Sequence, residues 1–150
     1  MLECGDGALH KSLSAQTNTI AATYAHAVIA EDIIVHAMLQ GGAPLYQSGG
    51  WEAKTGVAFP GVPPALTPEW ANAVTLNLAT FQEYAKAVYG ATDAYLASLS
   101  DADTERKTQG PMGETTVGWM VAVLLATHYP GHAGEIAALK GVQGMKGLPF

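Results

Sequence analysis

The pattern of apolar and polar positions predicts three long helices. The first is expected over residues 18–40, where apolar residues fall on nearly every side of the helix and Glu31 and Asp32 are the ordinarily charged ones. A helix of this kind is buried on most of its sides, so we expect it inside a bundle or at a subunit interface. One of the residues 17–19 is expected to cap its start, and the glycines at 41–42 are expected to end it.

A second helix is predicted from Thr67, as N-cap, with Pro68 at its first position. It is expected to run for about 30 residues, which at 1.5 Å per residue makes a rod of about 45 Å. Its apolar positions alternate in steps of four and three, which is typical of the seam of an antiparallel bundle. The seam residues are Val74, Leu78, Phe81, Ala85, Val88, Thr92, Tyr95 and Leu99.

The third helix is expected to begin with Thr115 or Thr116 as N-cap and to reach Gly141. Residues 41–66 are rich in Gly and Pro and predict a long irregular loop, with Trp51 and Phe59 favouring a role as a cover over the core. No segment shows convincing strand alternation. The sequence therefore predicts an all-α, up-and-down helical bundle in a single domain, 1–150, with residues 1–16 as an N-terminal tail.

Charge and cysteine content narrow the function classes. The chain has 7 Lys and Arg against 13 Asp and Glu, a formal net charge of −6, and no basic cluster, which argues against nucleic acid as a partner. The single cysteine, Cys4, excludes an internal disulfide framework and fits a reducing compartment. The N-terminus lacks the apolar core of a signal peptide, and the apolar run 119–126 is far shorter than the ~20 residues a bilayer requires. We expect a cytoplasmic protein without a membrane partner.

Among the five histidines, three can form one site. His10 is expected to be solvated in the tail, and His36 lies ten residues past His26, about 15 Å along a helix, so capping or surface roles suffice for it. His26 lies mid-helix among small apolar residues. A lone histidine there is more often a core residue than a ligand, but His128 and His132 are spaced to share one helix face. Buried opposite His26, this pair would give a three-histidine set with open positions, as in catalytic metal sites.

The residues around this pair leave alternatives open. In a regular helix Pro130 would remove the hydrogen bond to Ala126 and cost ~3 kcal/mol. The segment therefore either continues through a kink or one-residue bulge, or ends at Tyr129 and restarts at Gly131. Glu135, on the same stripe as the two histidines, is expected to act as general base or to fix a histidine tautomer, or else to face solvent. Two tyrosines, 24 and 129, either line the site or serve as packing.

Two segments carry a resemblance to a known family. The C-terminal stretch HYPGHAGEIAALKGVQGMKGLPF, with ATYAHAVIAED on the first helix, resembles the DinB-like (YfiT-type) superfamily of metal-binding four-helix bundles, over roughly residues 15–150. The resemblance implies that His26, His128 and His132 bind one divalent ion (zinc, nickel or iron) and that the protein is a homodimer. Family members carry a full helix before the one with the first histidine, whereas only about 17 residues precede it here. We therefore expect a short or missing first helix, and a groove filled by a partner subunit or by the long loop.

The resemblance also implies a class of activity. Characterised members include metal-dependent transferases and isomerases that use low-molecular-weight thiols, so we expect a metal-dependent thiol transferase acting on a small-molecule substrate, with Glu135 as a candidate catalytic residue. A metal-dependent hydrolase differs only in that water attacks instead of a thiol. The alternative from another class is a non-enzymatic bundle that binds a ligand or a protein in its groove. Metal content distinguishes the binding bundle from the two enzymes.

Overall fold

The computed structural model describes residues 2–62 and 67–147, which form a mostly helical fold. Three long helical stretches build it, together with several short helices and one small hairpin. In chain order the elements are α1 (Asp6–Leu9), α2 (Ile20–Asp32), a π-helical extension of α2 (Ile33–Leu39), α3 (Leu45–Ser48), α4 (Trp51–Thr55), α5 (Pro68–Ala73), α6 (Leu78–Ser98), α7 (Asp101–Thr104), β1 (Lys107–Gly110), β2 (Gly113–Thr116), α8 (Val117–Trp119), a second π-helical segment (Met120–His128) and α9 (Tyr129–Val142).

Helix α2 forms the centre of the core, as its apolar sequence predicts. Thr19 is the residue that caps it, accepting a hydrogen bond from the Ala22 amide at 3.0 Å. Every residue of α2 is buried except His26, which is half-buried. The stretch Ile20–Leu39 is long and apolar enough to cross a membrane, but 78% of its most apolar window is buried inside the fold. That burial is what the core helix of a soluble protein shows.

The predicted second helix is broken, which corrects the expectation of one 45 Å rod. Helix α5 ends at Ala73, the backbone is extended at Val74 and Asn77, and the Asn77 side chain caps α6. The break exposes the backbone N–H of Leu76, which donates to His10 Nε2 at 3.1 Å. His10 was expected to be solvated, and that prediction is wrong because its ring satisfies this amide.

The predicted seam nevertheless faces the core. Five of its eight residues are buried, and the other three are half-buried. The buried ones are Val74, Phe81, Ala85, Val88 and Thr92. Steps of four and three therefore identify the inward face correctly even where the helix is interrupted, because the residues flanking the break still point inward.

The segment 41–66 covers the core, but it is not irregular throughout. It contains α3 and α4, and its positions 63–66 lie outside the described residues. Tyr46 and Val57 are each 1% exposed. The Phe59 ring stacks on Tyr46 at 5.8 Å between centroids, and Trp51 lies 5.5 Å from another core ring, that of Tyr84. The predicted covering role is confirmed by these contacts.

A short antiparallel hairpin departs from the all-helical expectation. Strands β1 and β2 pair with Lys107 opposite Thr116 and Gly110 opposite Gly113. Each strand has four residues and none of the eight is fully buried, so no apolar alternation marks them in the sequence. The hairpin leads directly into the third helix, whose N-cap Thr116 accepts a hydrogen bond from the Trp119 amide at 3.2 Å.

The N-terminal residues contribute a short helix, as expected for this chain from the few residues that precede the first histidine-bearing helix. Among the described residues before α2, α1 is the one helix and it has four residues. Leu9 at its end is fully buried in the main core, and Leu2 and Cys4 pack against that core. Part of the surface of α2 is therefore covered by this segment and part by residues of the 41–66 segment.

Candidate metal centre

Three histidine side chains meet between α2 and the third long helix. His26 projects from the middle of α2, His128 closes the second π-helical segment, and His132 lies in the first turn of α9. The Nε2 atom of His128 is 3.2 Å from that of His26 and 3.1 Å from that of His132. One ligand nitrogen from each ring lies within 4.8 Å of the others, and all three residues are half-buried.

The helix that carries two of these histidines runs through Pro130 without a break. His128 (φ −61°, ψ −47°) and Tyr129 (φ −64°, ψ −50°) both keep right-handed helical backbone angles. The preceding nine residues are π-helical, and Pro130 falls in the first turn of α9. The sequence left two alternatives, a helix that continues through a kink or bulge and a helix that ends at Tyr129 and restarts at Gly131. The structure agrees better with the bulge, which here extends over the whole π-helical segment, and the prediction of an end at Tyr129 is wrong. Pi-helical distortions are frequent at functional sites.

Burial disfavours the protonated form of two of the three rings. It lowers the pKa of His26 to about 4, and the charges of His132 and His128 act in the same direction. Burial, followed by the charge of His132, also lowers the pKa of His128. Neutral imidazole is the form that binds metal, so these two rings are available as ligands.

The convergence of nitrogens cannot be completed by hydrogen bonds alone. A single ring nitrogen either donates one hydrogen or accepts one, yet His128 Nε2 faces two partners at hydrogen-bond distance. An ion bound at 2.0–2.1 Å by tetrahedral nitrogens would separate them by about 3.3 Å. The two short separations are close to that value, so the donor set fits a divalent cation.

Glu135 lies behind this cluster, on the far side of the His132 ring. Its Oε2 is 3.0 Å from His132 Nδ1, and its Oε1 accepts a hydrogen bond from Thr23 Oγ1 at 3.3 Å. A proton held on Nδ1 by the carboxylate leaves the Nε2 lone pair directed at the cluster, the arrangement common among metal-binding histidines. Thr23 was not singled out from the sequence; its position one turn before His26 is the signal that could have found it.

His36, the remaining histidine of the first long helix, belongs to a different cluster. Its Nδ1 lies 2.8 Å from Oδ1 of the buried Asp32, one turn earlier on the same helix. The expectation that it would not share a small site with His26 agrees with this position. Its ring is a polar partner of the buried Asp32 carboxylate.

A cavity of about 1060 Å³ opens beside His132. Tyr24 and Tyr129 both line it, and both also pack in or against the main core, so the two roles considered for them coexist. The hydroxyls of Tyr129 and Tyr89 hydrogen-bond to each other. Burial raises the pKa of Tyr24 to about 12, and its hydroxyl has no hydrogen-bond partner within the described part of the chain.

The sequence matches the model of one protein family. The model of the DinB superfamily matches residues 2–136, a span that includes all three histidines and Glu135. The chain belongs to the DinB superfamily. A search of the curated proteins finds no match. Membership in the DinB superfamily agrees with the resemblance carried by the two histidine-bearing segments, and the mostly helical architecture is the one expected for it.

Proposed function

We propose that this DinB superfamily protein binds one divalent ion through His26, His128 and His132 and is a metal-dependent enzyme of the thiol-transferase type. The observation that carries the proposal is the convergence of three Nε2 atoms, two pairs of them at 3.1 and 3.2 Å. Imidazole suits zinc, nickel and iron alike, so these are the candidate ions. A donor set of three residues leaves positions for an exogenous ligand, which is typical of catalytic metal sites.

The residues of the chain orient and shield this site. His26 is held by α2, whose other residues are all buried, and His132 is oriented by the Glu135 carboxylate. A bound divalent ion lowers the pKa of a coordinated thiol or water and so supplies a nucleophile at neutral pH. Glu135 accepts a hydrogen bond from His132 Nδ1, which supports a positioning role. Its use as a general base remains a prediction.

The cavity beside His132 supports a small-molecule substrate. Its walls are mainly apolar and aromatic, with few charged groups, which is the usual composition of small-molecule sites. A co-substrate thiol and an electrophile can both be accommodated in about 1060 Å³. The thiol-transferase proposal and the hydrolase alternative share this cavity and differ in whether the thiol or water attacks.

Metal content tests the ion-binding part of the proposal. The protein would be purified without an affinity metal, alone and as the His132→Ala variant, with His10→Gln as a control at a histidine outside the cluster. We expect about one divalent ion per chain in the parent and the control, and none in His132→Ala. Stoichiometric metal in His132→Ala would overturn the ligand set. No metal in the parent, even after addition of zinc, nickel or iron, would favour the non-enzymatic binding bundle.

Turnover tests the transferase part. The metal-loaded protein would be assayed with 1-chloro-2,4-dinitrobenzene and cysteine, following thioether formation, and separately with p-nitrophenyl acetate. We expect thioether formation that depends on both metal and thiol and that is lost in His132→Ala. Ester hydrolysis without any thiol-dependent reaction would overturn the transferase assignment in favour of the hydrolase.

A further inference from the structure

The chain reverses its direction directly after α9. Gly144 has a positive φ of 77°, a backbone conformation that favours glycine. The Met145 amide donates to the Lys140 carbonyl at 3.0 Å, which closes the turn at the end of the helix. The Met145 side chain then packs against the main core. The residues that follow α9 therefore return along the helix.

Gly147 shows the direction of this return. A Cβ atom added at Gly147 would lie 2.6 Å from the carbonyl oxygen of Ala137, so only glycine can approach the helix backbone this closely. Met145 meets α9 at Lys140, and two residues later Gly147 meets it at Ala137. The chain thus runs from the C-terminal end of α9 toward the end that carries His132.

The cavity beside His132 lies ahead of the returning chain. Met145 and Gly147 both line it, together with His132 at its other end. At 1.5 Å per residue, Ala137 and His132 are separated by about 7.5 Å along α9. Three extended residues span about 10 Å. Residues 148–150, which lie outside the described residues, are therefore long enough to reach from Gly147 to the His132 end of the cavity.

The chemistry of these three residues matches the walls of the cavity. Their sequence is Leu-Pro-Phe, with two large apolar side chains and no charged one. Proline has no backbone N–H and favours an extended residue before it, so the segment brings few polar groups that need a partner. The cavity offers apolar and aromatic surface, including Ala27, Tyr129 and Ile136. Transfer of leucine and phenylalanine side chains from water to such a surface is favourable.

We propose that residues 148–150 bind in this cavity as an internal ligand and compete with other apolar molecules for it. Their attachment at Gly147 raises their effective concentration at the cavity, so even a weak contact is occupied much of the time. The approach to His132 is then open only when the segment withdraws. That consequence for the reaction rests on the proposed function, whereas the docking of the segment depends on the reversed chain and the cavity alone.

The test uses metal-free, full-length protein and the neutral apolar dye N-phenyl-1-naphthylamine, whose binding is followed by fluorescence. The double variant Leu148→Ser, Phe150→Ser should bind the dye about tenfold more tightly than the parent, the effect expected if the segment fills the cavity about nine-tenths of the time. The peptide acetyl-Gly-Leu-Pro-Phe should displace the dye from the double variant, and acetyl-Gly-Ser-Pro-Ser should not. Equal dye affinity in parent and double variant, or no displacement by the first peptide, would overturn the proposal.

A second variant keeps all three residues and changes only their path. Gly147→Ala places a Cβ against the Ala137 carbonyl, so the segment must leave the helix, and the dye should again bind about tenfold more tightly. The control Gly141→Ala, whose Cβ would meet nothing within 4 Å, should bind the dye like the parent.

Three outcomes separate this proposal from its alternatives. Parent-like dye binding in Gly147→Ala would overturn it. A dye affinity of the parent that increases when the protein is diluted would also overturn it, because the segment would then come from a second copy of the chain. A protein that shows the expected dye pattern but binds no metal would refute the proposed function and support the docking of residues 148–150.

Discussion

Two polar clusters lie six residues apart on the first long helix, one around Asp32 and the other around His26, and they differ in whether their hydrogen bonds are complete. In the first, each oxygen of the buried Asp32 carboxylate is occupied. Oδ1 accepts the Leu45 amide at 2.8 Å and lies 2.8 Å from His36 Nδ1. Oδ2 accepts the Tyr46 amide at 2.7 Å and the Tyr84 hydroxyl at 2.8 Å. This cluster is complete and ties the 41–66 segment and α6 to α2.

The second cluster, around His26, is incomplete. Three ring nitrogens face one another, and the proton arrangement of neutral imidazoles cannot pair all of them. The difference between the clusters teaches how a structural role differs from a binding role. Donors and acceptors in balance hold the fold together, whereas nitrogens that cannot all pair with one another form a donor set that fits a cation. Removing a residue should therefore damage folding in the first cluster and metal binding in the second.

The largest effect on stability is expected from the complete cluster. Asp32→Ala removes the acceptor of two amides and a tyrosine hydroxyl and leaves His36 Nδ1 with the backbone carbonyl of residue 32 alone. The free energy of unfolding should therefore fall by about 3–5 kcal/mol. Urea denaturation of the metal-free protein measures it. Asp93→Ala, at an exposed position of α6, serves as the control and should change stability little. A loss below about 1 kcal/mol in Asp32→Ala would show that this carboxylate does not hold the fold.

The opposite pattern is expected at the histidine cluster. His128→Ala should lower bound metal from about one ion per chain to less than about 0.1, because His128 Nε2 is the nitrogen closest to both others. The metal-free variant should lose less than about 1 kcal/mol, since no complete hydrogen-bond set depends on this half-buried ring. Elemental analysis and urea denaturation of the same samples give both values. A strongly destabilised His128→Ala protein would show that the histidine cluster, like the Asp32 cluster, has a structural role.

A smaller effect, on metal affinity, is expected from Glu135, which lies behind the histidine cluster. Glu135→Gln keeps an acceptor for His132 Nδ1 but removes the negative charge, so metal affinity should fall about 10–100-fold with little change in stability. Competition with a chelator of known affinity measures the loss. Thr23→Val removes the hydroxyl that donates to Glu135 and should weaken affinity less than Glu135→Gln does. Unchanged affinity in Glu135→Gln would show that this carboxylate does not orient His132 for metal.

The smallest effect concerns a second buried acid beside the complete cluster. Glu31 is 9% exposed and accepts a hydrogen bond from Thr92 Oγ1 at 2.7 Å. Burial raises its pKa above the ordinary value of 4.5; the hydrogen bond from Thr92 opposes the shift, and the charges of Asp93 and Asp32 add to it. Between the unfolded and the folded pKa, the folded state therefore holds a proton that the unfolded chain has lost. This contribution to stability fades as pH rises from 4.5 through the folded pKa.

The corresponding variant is Glu31→Gln, which keeps an acceptor without the charge. It should be more stable than the parent at pH 8, and the difference should shrink as the pH is lowered toward 4.5. Thermal unfolding at pH 4.5, 6 and 8 measures the trend. A difference that grows toward low pH would mean that the Glu31 carboxylate is stabilised, and not penalised, by its burial.

Local patterns predict the helical fold and part of the candidate site. Steps of four and three gave the buried face of α6, and apolar composition gave the burial of α2, because both depend on residues close in sequence. The histidines at 128 and 132 were recognisable as a pair for the same reason. Their meeting with His26 required the packing of two helices, which the family resemblance indicated and the structure shows.

The features that were missed depend on contacts between distant residues. The break between α5 and α6 is supported by His10, 66 residues away from the amide it accepts. The hairpin strands are too short and too exposed to show alternation, and the contact of Thr23 with Glu135 joins two helices 112 residues apart in sequence. The cavity likewise draws its lining from both ends of the chain. None of these features has a local signature that outweighs helix propensity.

The central claim, that His26, His128 and His132 together bind one divalent ion, is tested most directly by X-ray absorption spectroscopy of the zinc-loaded protein. Three imidazole nitrogens at about 2.0–2.1 Å, falling to two in His26→Ala, are the predicted result. A zinc–sulfur distance of about 2.3 Å, which would indicate Cys4 as a ligand, or a parent spectrum with fewer than three imidazoles, would contradict it.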